Sequence, residues 1–247
     1  MPRFFVTSSD IDKSDEVVKI TVRGDDAVHI SRVLRMRCGE HIDICDENGC
    51  EYDTVVSAVG NEVVLEVVSS RQSVNETPYK ATVYQALVKG DRFDTVIQKS
   101  TELGVHTIVP VITSRCTVKL TESDYAKKTE RWQRIAYEAA KQCGRAVIPV
   151  VTRPVKFSEA IKQASLADVP LFCYEAGGTR SLADILSEKS NPSTASVFIG
   201  PEGGFSEDEA EEAAGCGMNL TGLGKRILRT ETAAPFVLSC LSFKYEL

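Results

Sequence analysis

The sequence predicts an α/β protein with two parts: a small β-rich region at residues 1–72 and a larger region at residues 73–247 with a mainly parallel sheet and helices on both faces. Two patterns predict this organisation. The first 72 residues hold short β-branched runs with turn signals between them, which favours short strands. From Ala81 onward, apolar strands alternate with helical segments, which is typical of a parallel sheet covered on both faces.

The β-rich region contains five candidate strands and one candidate helix. The strands lie at residues 4–8, 16–22, 40–49, 50–60 and 61–70. The predicted helix spans residues 26–40, with apolar residues at helical spacing and Arg32, Arg35 and Arg37 on its polar face. Small barrels with a positive face commonly bind nucleic acid. This region is therefore a candidate RNA-binding barrel, and a barrel without such a partner is the alternative.

The larger region follows a polar linker at residues 69–80, which contains a proline and has no periodicity. Its predicted strands lie at residues 81–88, 106–113, 146–151, 169–176, 195–200 and 218–224. Its predicted helices lie at residues 90–105, 122–144, 158–165, 181–188, 206–214 and 230–243. Three of the strands end in glycine-containing loops, LFCYEAGGT, FIGPEGG and TGLGKRILR. Since ligands bind beyond the carboxyl ends of parallel strands, we expect these loops to meet at one pocket.

Charge and composition indicate which classes of protein this sequence could belong to. The formal net charge is −6, yet residues 80–160 carry 14 Lys and Arg against 8 Asp and Glu. A local basic surface of this kind matters more to a polyanion than the overall charge does, although solvated helix faces would give the same count. No apolar run approaches the roughly 20 residues of a membrane span, and the eight cysteines show no C-x-x-C spacing. We expect a cytoplasmic protein without a membrane segment, a disulfide framework or a metal site.

The segment VFIGPEGGFS at residues 197–206 is the strongest candidate for a ligand-binding loop. Its glycines and proline allow close approach of the backbone to a ligand. A phosphate loop would end in Lys-Ser or Lys-Thr, whereas here Ser206 and Glu209 form a capping-box pattern and Glu202 lies inside the loop. Because these carboxylates would repel phosphate, we expect a neutral or cationic ligand. A glycine-rich turn without a ligand is the alternative.

A second segment, LGKRILRTETAA at residues 223–234, follows another glycine and opens the last helix. Taken alone, it fits a solvated basic loop equally well. IGPEGGF followed by LGKRILRTETAA resembles the signature of the knotted (SPOUT) methyltransferases, specifically the RsmE-type enzymes that methylate N3 of a uridine in small-subunit ribosomal RNA. The resemblance extends from PRFFV through HISRVLRMRCGE and EAAKQCGR to the C-terminus.

The resemblance implies a trefoil knot in residues 73–247 and a PUA-like RNA-binding barrel at residues 1–72. It also implies S-adenosylmethionine as the cofactor, 16S ribosomal RNA or the 30S subunit as the substrate, and a homodimer with its sites at the subunit interface. The implied cofactor-binding residues are Tyr174, Glu175, Ile199, Gly200, Pro201, Glu202, Gly203, Gly204, Leu223, Gly224, Ile227, Leu228, Arg229, Thr232 and Ala233. The implied RNA-binding residues are Arg3, Phe4, His29, Arg32, Arg35, Glu138, Gln142 and Arg145.

Uridine methylation at N3 sets a specific demand on the site. The sulfonium leaving group already activates the methyl carbon, so the enzyme chiefly aligns the two reactants. N3 of uracil carries a proton that must leave before attack, so a base, or a cation beside O2 or O4, would help. Arg229 is the candidate cation, with a phosphate-positioning or structural role as the alternative. Glu231 and Glu202 are candidate bases, and each fits a helix-capping or loop-fixing role as well.

Glu138 and Gln142 lie one helical turn apart, with Arg145 just after Gly144. An ordinary surface pair would show the same spacing. The match to the family's E-x-x-x-Q-x-x-R pattern implies a place near the substrate, with Arg145 on RNA. The family's usual serine after the glutamine is Cys143 here.

Two other functions stay open at this point. A knotted enzyme acting on a ribose 2′-hydroxyl of another RNA would share these motifs. A non-catalytic RNA-binding or ribosome-assembly factor would keep the same fold. A small-molecule nucleotide-binding enzyme is disfavoured because the loop lacks Lys-Ser/Thr and is surrounded by acids.

Overall fold

The computed structural model describes residues 3–14, 16–118 and 121–247, which form two compact units. The first unit holds the described residues up to Glu76 together with Ala140–Ile148, and the second holds Thr77–Ala139 with Pro149–Leu247. Polar contacts tie the returning segment into the first unit. Arg3 Nη1 donates to the carbonyl of Gly144 at 2.5 Å, and a carboxylate oxygen of Glu76 accepts from the backbone N–H of Ala146 at 2.9 Å.

The first unit contains a six-stranded sheet in the order β1-β4-β5-β6-β3-β2. Its strands are β1 (Arg3–Val6), β2 (Ile11–Asp12), β3 (Lys19–Val22), β4 (His41–Asp46), β5 (Cys50–Val59) and β6 (Val63–Gln72). All neighbours are antiparallel except β1 and β4, which are parallel. The five predicted strands are present, and the two-residue β2 was too short for a pattern to predict.

The helical segment of the first unit is shorter than predicted. Helix α1 (Gly24–Val28) continues into one π-helical turn, His29–Val33. Arg35 follows with φ of 54°, the left-handed region that ends a helix. The arginines predicted to share one helix face therefore lie partly on the π-turn and partly on the loop after it.

The second unit contains an eight-stranded sheet in which every described pair of neighbours is parallel. Its strands are β7 (Lys80–Ala86), β8 (Thr107–Ile112), β9 (Val150–Val151), β10 (Val155–Lys156), β11 (Val169–Cys173), β12 (Arg180–Ser181), β13 (Thr194–Ile199) and β14 (Asn219–Gly222). The order is β10-β8-β7-β13-β11-β14-β12, with β9 also beside β8. The helices are α2 (Arg92–Glu102), α3 (Glu122–Cys143), α4 (Phe157–Ala164), α5 (Leu182–Ser187), α6 (Glu207–Gly215) and α7 (Thr230–Tyr245).

Helices cover both faces of this sheet, which confirms the predicted α/β class. Alternate strand residues face opposite cores, as the two-residue period of a strand requires. Val83, Leu171 and Val197 face a core shared with α2, α5 and α7. Their neighbours Tyr84, Phe172 and Phe198 face a second core shared with α4 and α6. None of the helices in the described part of the chain is both long and apolar enough to span a bilayer.

The strand order brings distant segments together at one edge of the sheet. β11 lies between β13 and β14, so the loops that follow these three strands leave from neighbouring positions. After β14 the chain returns toward β13, because the hydroxyl of Thr230, the first residue of α7, donates to the carbonyl of Gly200 at 2.7 Å. This return creates the candidate site.

Candidate active site

A cavity of about 530 Å³ lies at the carboxyl ends of β11, β13 and β14. This volume is in the range of roughly 300–1,000 Å³ that small-molecule sites occupy. The three glycine-containing loops all contribute to its wall, as the sequence predicted. The predicted cofactor-binding residues that line it are Tyr174, Glu175, Ile199, Gly200, Pro201, Glu202, Gly204, Leu223, Gly224, Ile227, Leu228, Arg229 and Ala233. Gly203 and Thr232 are not among its described lining residues.

The two adjacent glycines of the loop after β13 have different surroundings. Arg115 Nη1 donates to the carbonyl of Gly203 at 2.9 Å, and a Cβ at Gly203 would meet the Arg115 side chain at an ordinary 3.7 Å. Gly204 has φ of 66°, and a Cβ there would lie 2.0 Å from Oε1 of Glu175. Gly204 is therefore the glycine that the approach of the two loops requires.

The start of the following helix matches the prediction. Ser206 caps α6: its side-chain oxygen accepts from the backbone N–H of Glu209, and the Glu209 carboxylate accepts from the backbone N–H of Ser206. The second carboxylate oxygen of Glu209 accepts from the backbone N–H of Ser114 at 2.7 Å. The Glu209 carboxylate therefore already occupies the N-terminus of α6, where a phosphate would otherwise bind. The loop before α6 is not arranged to bind phosphate.

Glu202 is held in place from outside the loop. Arg92 Nη1 lies 2.6 Å from its carboxylate, and the backbone N–H of Lys89 donates to the same oxygen at 3.3 Å. Partial burial acts to raise the pKa of Glu202, but these hydrogen bonds and the charge of Arg92 lower it overall. A carboxylate with a lowered pKa is a weak base, so the geometry favours the loop-fixing alternative for Glu202.

A buried polar chain connects the start of α7 to this loop. Gln85 Nε2 donates to Thr230 Oγ1 at 2.9 Å, and the Thr230 hydroxyl donates in turn to the Gly200 carbonyl. The Oε1 atom of Gln85 is buried and has no partner in the described part of the structure. These contacts fix the loop after β13 relative to the N-terminus of α7.

Arg229 and Glu231 flank Thr230 at the cavity wall. Arg229 is the exposed N-cap residue of α7, and Glu231 lies in the first turn of that helix. Neither side chain forms a hydrogen bond or ion pair with any residue that the structure describes. Both are therefore available to a ligand, unlike Glu202.

Several lining residues were not named individually as site residues, although all but Arg92 lie in the segments that the sequence analysis singled out: Arg92, Cys173, Thr179, Gly222, Lys225, Arg226 and Thr230. Arg92 could have been predicted from the sequence. Gly90-Asp91-Arg92 is a fourth glycine-containing segment that follows a strand, like the three loops that were predicted to form the pocket. Cys173 lies in the predicted LFCYEAGGT loop, but no local pattern distinguished its side chain from its neighbours. Its burial raises the pKa of the thiol to about 12, so it lines the cavity as a neutral group.

The lining suits S-adenosylmethionine, the cofactor that the resemblance implies. Apolar side chains of Ile199, Leu223 and Leu228 provide surface for a flat ring. Glu175 has no hydrogen bond or ion pair within the described residues and supplies negative charge for a cationic group. Because Gly204 has no side chain, its loop lies directly against Glu175 and the two loops together close one side of the cavity.

The predicted RNA-binding residues of the first unit separate into two groups. Phe4 is 1% exposed in the core, and Arg3 is held by Glu51 at 3.0 Å and by the Gly144 carbonyl. Both therefore stabilise the first unit and present little surface to RNA. Arg32 and Arg35 are exposed, and their guanidinium groups have no partner among the described residues. His29 is half-buried, with its ring edge-on to Phe4 at 5.6 Å.

The predicted group of Glu138, Gln142 and Arg145 also contains both exposed and buried residues. Glu138 and Gln142 are exposed on α3. Arg145 is buried and forms an ion pair with Glu76 at 2.6 Å, within the first unit. Because Glu76 also accepts from the backbone of Ala146 and Val147, the present contacts of Arg145 hold the returning segment in place.

No cluster of three or more His, Cys, Asp or Glu side chains in the described ranges has the geometry to hold a metal ion. The acidic residues that line the cavity are Glu175 and Glu202, which lie in two different loops, and Glu231, which lies in the first turn of α7.

Comparisons with known proteins agree over most of the chain. Residues 75–242 match the model of a family described as RNA methyltransferase domain. Ribosomal RNA small subunit methyltransferase E from Bacillus subtilis is 34% identical over 252 residues, covering 100% of this chain and 98% of that protein. The protein of the same name from Aquifex aeolicus is 33% identical, covering 85% of this chain and 88% of the relative.

Solved structures resemble the chain over nearly its full length. A putative methyltransferase from Legionella pneumophila, in complex with SAM, has a TM-score of 0.85 and 32% identity, and 98% of this chain and 97% of that chain are covered. The ribosomal RNA small subunit methyltransferase E from Neisseria gonorrhoeae, bound to S-adenosyl methionine, has a TM-score of 0.82, 32% identity and the same coverage.

Proposed function

Since the chain belongs to the RNA methyltransferase family, and within it to the ribosomal RNA small subunit methyltransferase E proteins, we propose that it methylates small-subunit (16S) ribosomal RNA with S-adenosylmethionine as donor. The observation that carries this function is the convergence of three glycine-containing loops on one cavity, with Arg229 and Glu231 unpaired at its wall. Following the motif resemblance, the proposed target atom is N3 of a uridine.

The cofactor, when bound, supplies a methyl group activated by its sulfonium. Gly200, Gly204 and Leu223 belong to the loops that bind it. Glu202 positions the loop after β13 through its contact with Arg92. Glu231 accepts the N3 proton of the target uridine, and Arg229 stabilises the negative charge that then develops on the uracil oxygens. N3 forms its bond to the methyl carbon as the carbon–sulfur bond breaks.

Two finer features of the fold are part of this proposal. The second unit is proposed to contain a trefoil knot. The placement of β14 beyond β11 and the return of the chain to Gly200 at Thr230 support a threaded C-terminal segment. The first unit is proposed to be a PUA-like barrel that binds RNA through His29, Arg32 and Arg35. Its six-stranded sheet and exposed arginines support this role.

The protein is further proposed to act as a homodimer on the 30S subunit in the cytoplasm, with Glu138 and Gln142 near the RNA. Exposed aromatic residues on α7 support self-association. Phe236 is 40% exposed and Phe243 is 76% exposed. The two residues are seven positions apart, about two helical turns, and therefore lie on the same side of α7. Large exposed aromatic side chains on one stripe are typical of a surface that a partner covers.

The test is to incubate the purified protein and labelled S-adenosylmethionine with small subunits that lack the modification, followed by nucleoside mass spectrometry. We expect label in 3-methyluridine. Label in a 2′-O-methylated nucleoside that retains its N3 proton would overturn the proposed target atom. Absence of label despite measured cofactor binding would overturn the catalytic function and leave an RNA-binding factor.

A further inference from the structure

A second cavity, of about 160 Å³, lies in the second unit beside the end of β7. It is formed by the loop at residues 87–90, the start of α2 and one face of α3. Its described lining residues are Leu87, Val88, Lys89, Gly90, Phe93, Asp94, Val118, Lys128, Arg131 and Trp132. None of them lines the larger cavity, so the second cavity is a separate place on the surface of the unit.

The two cavities adjoin the same short segment of chain. Arg92 lines the larger one, and Lys89 and Gly90 line the smaller one. The backbone N–H of Lys89 and the guanidinium of Arg92 both bind the carboxylate of Glu202. A ligand in the second cavity would therefore lie next to the proposed catalytic site.

The floor of the second cavity is apolar and partly aromatic. Leu87, Val88, Phe93 and Trp132 are all buried, and the rings of Phe93 and Trp132 lie 4.5 Å apart between centroids. Because the two rings pack against each other, this floor accepts the edge of a nucleobase rather than its face, and such apolar contact depends little on which base is present.

The rim of the cavity is cationic. Lys89 and Lys128 are exposed, and neither ammonium group forms a hydrogen bond or ion pair with a described residue. Arg131 is already neutralised by a two-contact pair with Asp94. The two lysines thus provide the positive charge that remains for a ligand, and this charge belongs to the segment of the chain that is rich in Lys and Arg.

We propose that this second cavity binds one nucleotide of the RNA substrate other than the nucleotide that is methylated. Its base rests on the apolar floor, and Lys89 and Lys128 contact its phosphate. The cavity of about 160 Å³ is too small to enclose a whole nucleotide, since sites for ligands of drug size begin at roughly 300 Å³, so only the base enters it and the phosphate stays at the rim. This inference rests on the proposed function, since it takes RNA as the substrate.

The first experiment compares the two rim lysines with a neighbouring lysine on α3. Lys128→Glu and Lys89→Glu reverse rim charges, and Lys127→Glu makes the same change at an exposed lysine that does not line the cavity. We expect the KM for small subunits to rise about tenfold for Lys128→Glu and Lys89→Glu, because each loses a phosphate contact. Lys127→Glu should change the KM less than about twofold, and cofactor affinity should stay constant in Lys127→Glu and Lys128→Glu. Equal effects at Lys127 and Lys128, or no effect at Lys128, would overturn the proposal.

A second experiment does not depend on methyl transfer. Trp132 is the only tryptophan of the chain, so the intrinsic tryptophan fluorescence reports on the floor of this cavity. Uridine 5′-monophosphate should change the Trp132 emission saturably, Lys128→Ala should weaken that response, and inorganic phosphate alone should leave it unchanged. A flat uridine 5′-monophosphate titration would overturn the cavity proposal even if methylation is found. A saturable response in a protein without methyltransferase activity would support the cavity and contradict the catalytic function.

Discussion

Gly204 and Glu175 come so close that a methyl group on Gly204 would lie 2.0 Å from Oε1 of Glu175. The two residues belong to different loops, one after β13 and one after β11. Their approach closes one side of the proposed cofactor cavity, and the φ of 66° at Gly204 adds a backbone conformation that other residues rarely adopt. The geometry of the site thus depends on the absence of a side chain at this position.

The first prediction concerns this contact. Gly204→Ala should weaken S-adenosylmethionine binding by at least about tenfold, equivalent to about 1.4 kcal/mol, because Glu175 or the loop must move. Isothermal titration calorimetry measures it. Gly203→Ala is the matched control, since a Cβ there meets only Arg115 at 3.7 Å. Equal losses in the two variants would show that the Gly204–Glu175 approach does not shape the cofactor site.

The second prediction separates catalysis from cofactor binding. Arg229→Ala should lower kcat by about 10²–10³, the usual effect of removing a group that stabilises developing charge. Cofactor affinity should change little, because the Arg229 guanidinium forms no hydrogen bond or ion pair that holds the described cofactor loops in place. Single-turnover assays and calorimetry measure the two quantities. Arg153→Ala, an exposed arginine outside the cavity lining, serves as the control. A parallel fall of affinity and turnover at Arg229 would make it a cofactor residue.

Features that depend on residues close together in the sequence could be predicted, and features that depend on distant residues could not. Strand and helix positions depend on the pattern of nearby residues, so the apolar run that contains Val83 and Tyr84 already indicated a strand buried on both faces. Two-residue strands such as β10 and β12 contain too few residues to show a period. Phe4 lies in a predicted strand at an inward position, and its burial follows from that alternation rather than from the RNA-binding role that the resemblance implied.

Sequence patterns do not predict the hydrogen bonds and ion pairs between residues that are far apart in the chain. Gln85 and Thr230 are 145 positions apart, and nothing in either local segment indicates that they form a hydrogen bond. The pairing of Arg92 with Glu202 required knowledge that β7 and β13 are neighbours in the sheet. The three loops were assigned to one pocket because each follows a parallel strand, a rule that specifies the edge of the sheet and leaves its side-chain contacts undetermined.

The third prediction uses the pH dependence of Glu202. Its pKa is lowered from an ordinary value of 4.5, so the attraction to Arg92 stabilises the protein above that value and is lost as pH falls through the folded pKa. At pH 7, Glu202→Gln should lower the free energy of unfolding by at most about 1 kcal/mol, as expected for a partly exposed pair. Chemical denaturation from neutral pH to below 4.5 measures the difference, which should shrink toward the acid end. Arg92→Ala should reproduce the neutral-pH loss. A difference that is constant with pH would exclude the ion pair as its cause.

The same variant tests the assignment of the base. Glu231→Gln should lower kcat by about 10²–10⁴, the range for loss of general base catalysis. Glu202→Gln should preserve the chemical step once cofactor is saturating, because its carboxylate is occupied by Arg92 and Lys89. The reverse ranking in single-turnover assays would transfer the base role to Glu202.

The fourth prediction concerns the buried chain from Gln85 to Gly200. Thr230→Val keeps the shape of the side chain and removes its hydroxyl, which leaves the buried amide of Gln85 and the Gly200 carbonyl without that partner. The free energy of unfolding should fall by about 1–3 kcal/mol, the usual cost of unsatisfied buried groups. Thr230→Ser retains the hydroxyl and should lose less. Thermal and chemical denaturation compare the two, and equal losses would assign the effect to packing rather than to the hydrogen bonds.

The last prediction addresses the proposed dimer. Phe243 is 76% exposed on α7, two helical turns from Phe236, and a partner subunit that covers this stripe would bury both rings. Phe243→Asp should raise the dimer dissociation constant by roughly thirtyfold, because loss of one buried aromatic side chain costs about 2 kcal/mol. Leu247→Asp introduces the same charge at an exposed apolar residue beyond the end of α7 and should have a much smaller effect. Sedimentation equilibrium measures both. If the proposed dimer uses this stripe, methylation activity should fall together with the dimer fraction in Phe243→Asp and recover at high protein concentration. An unchanged dissociation constant would place the interface elsewhere.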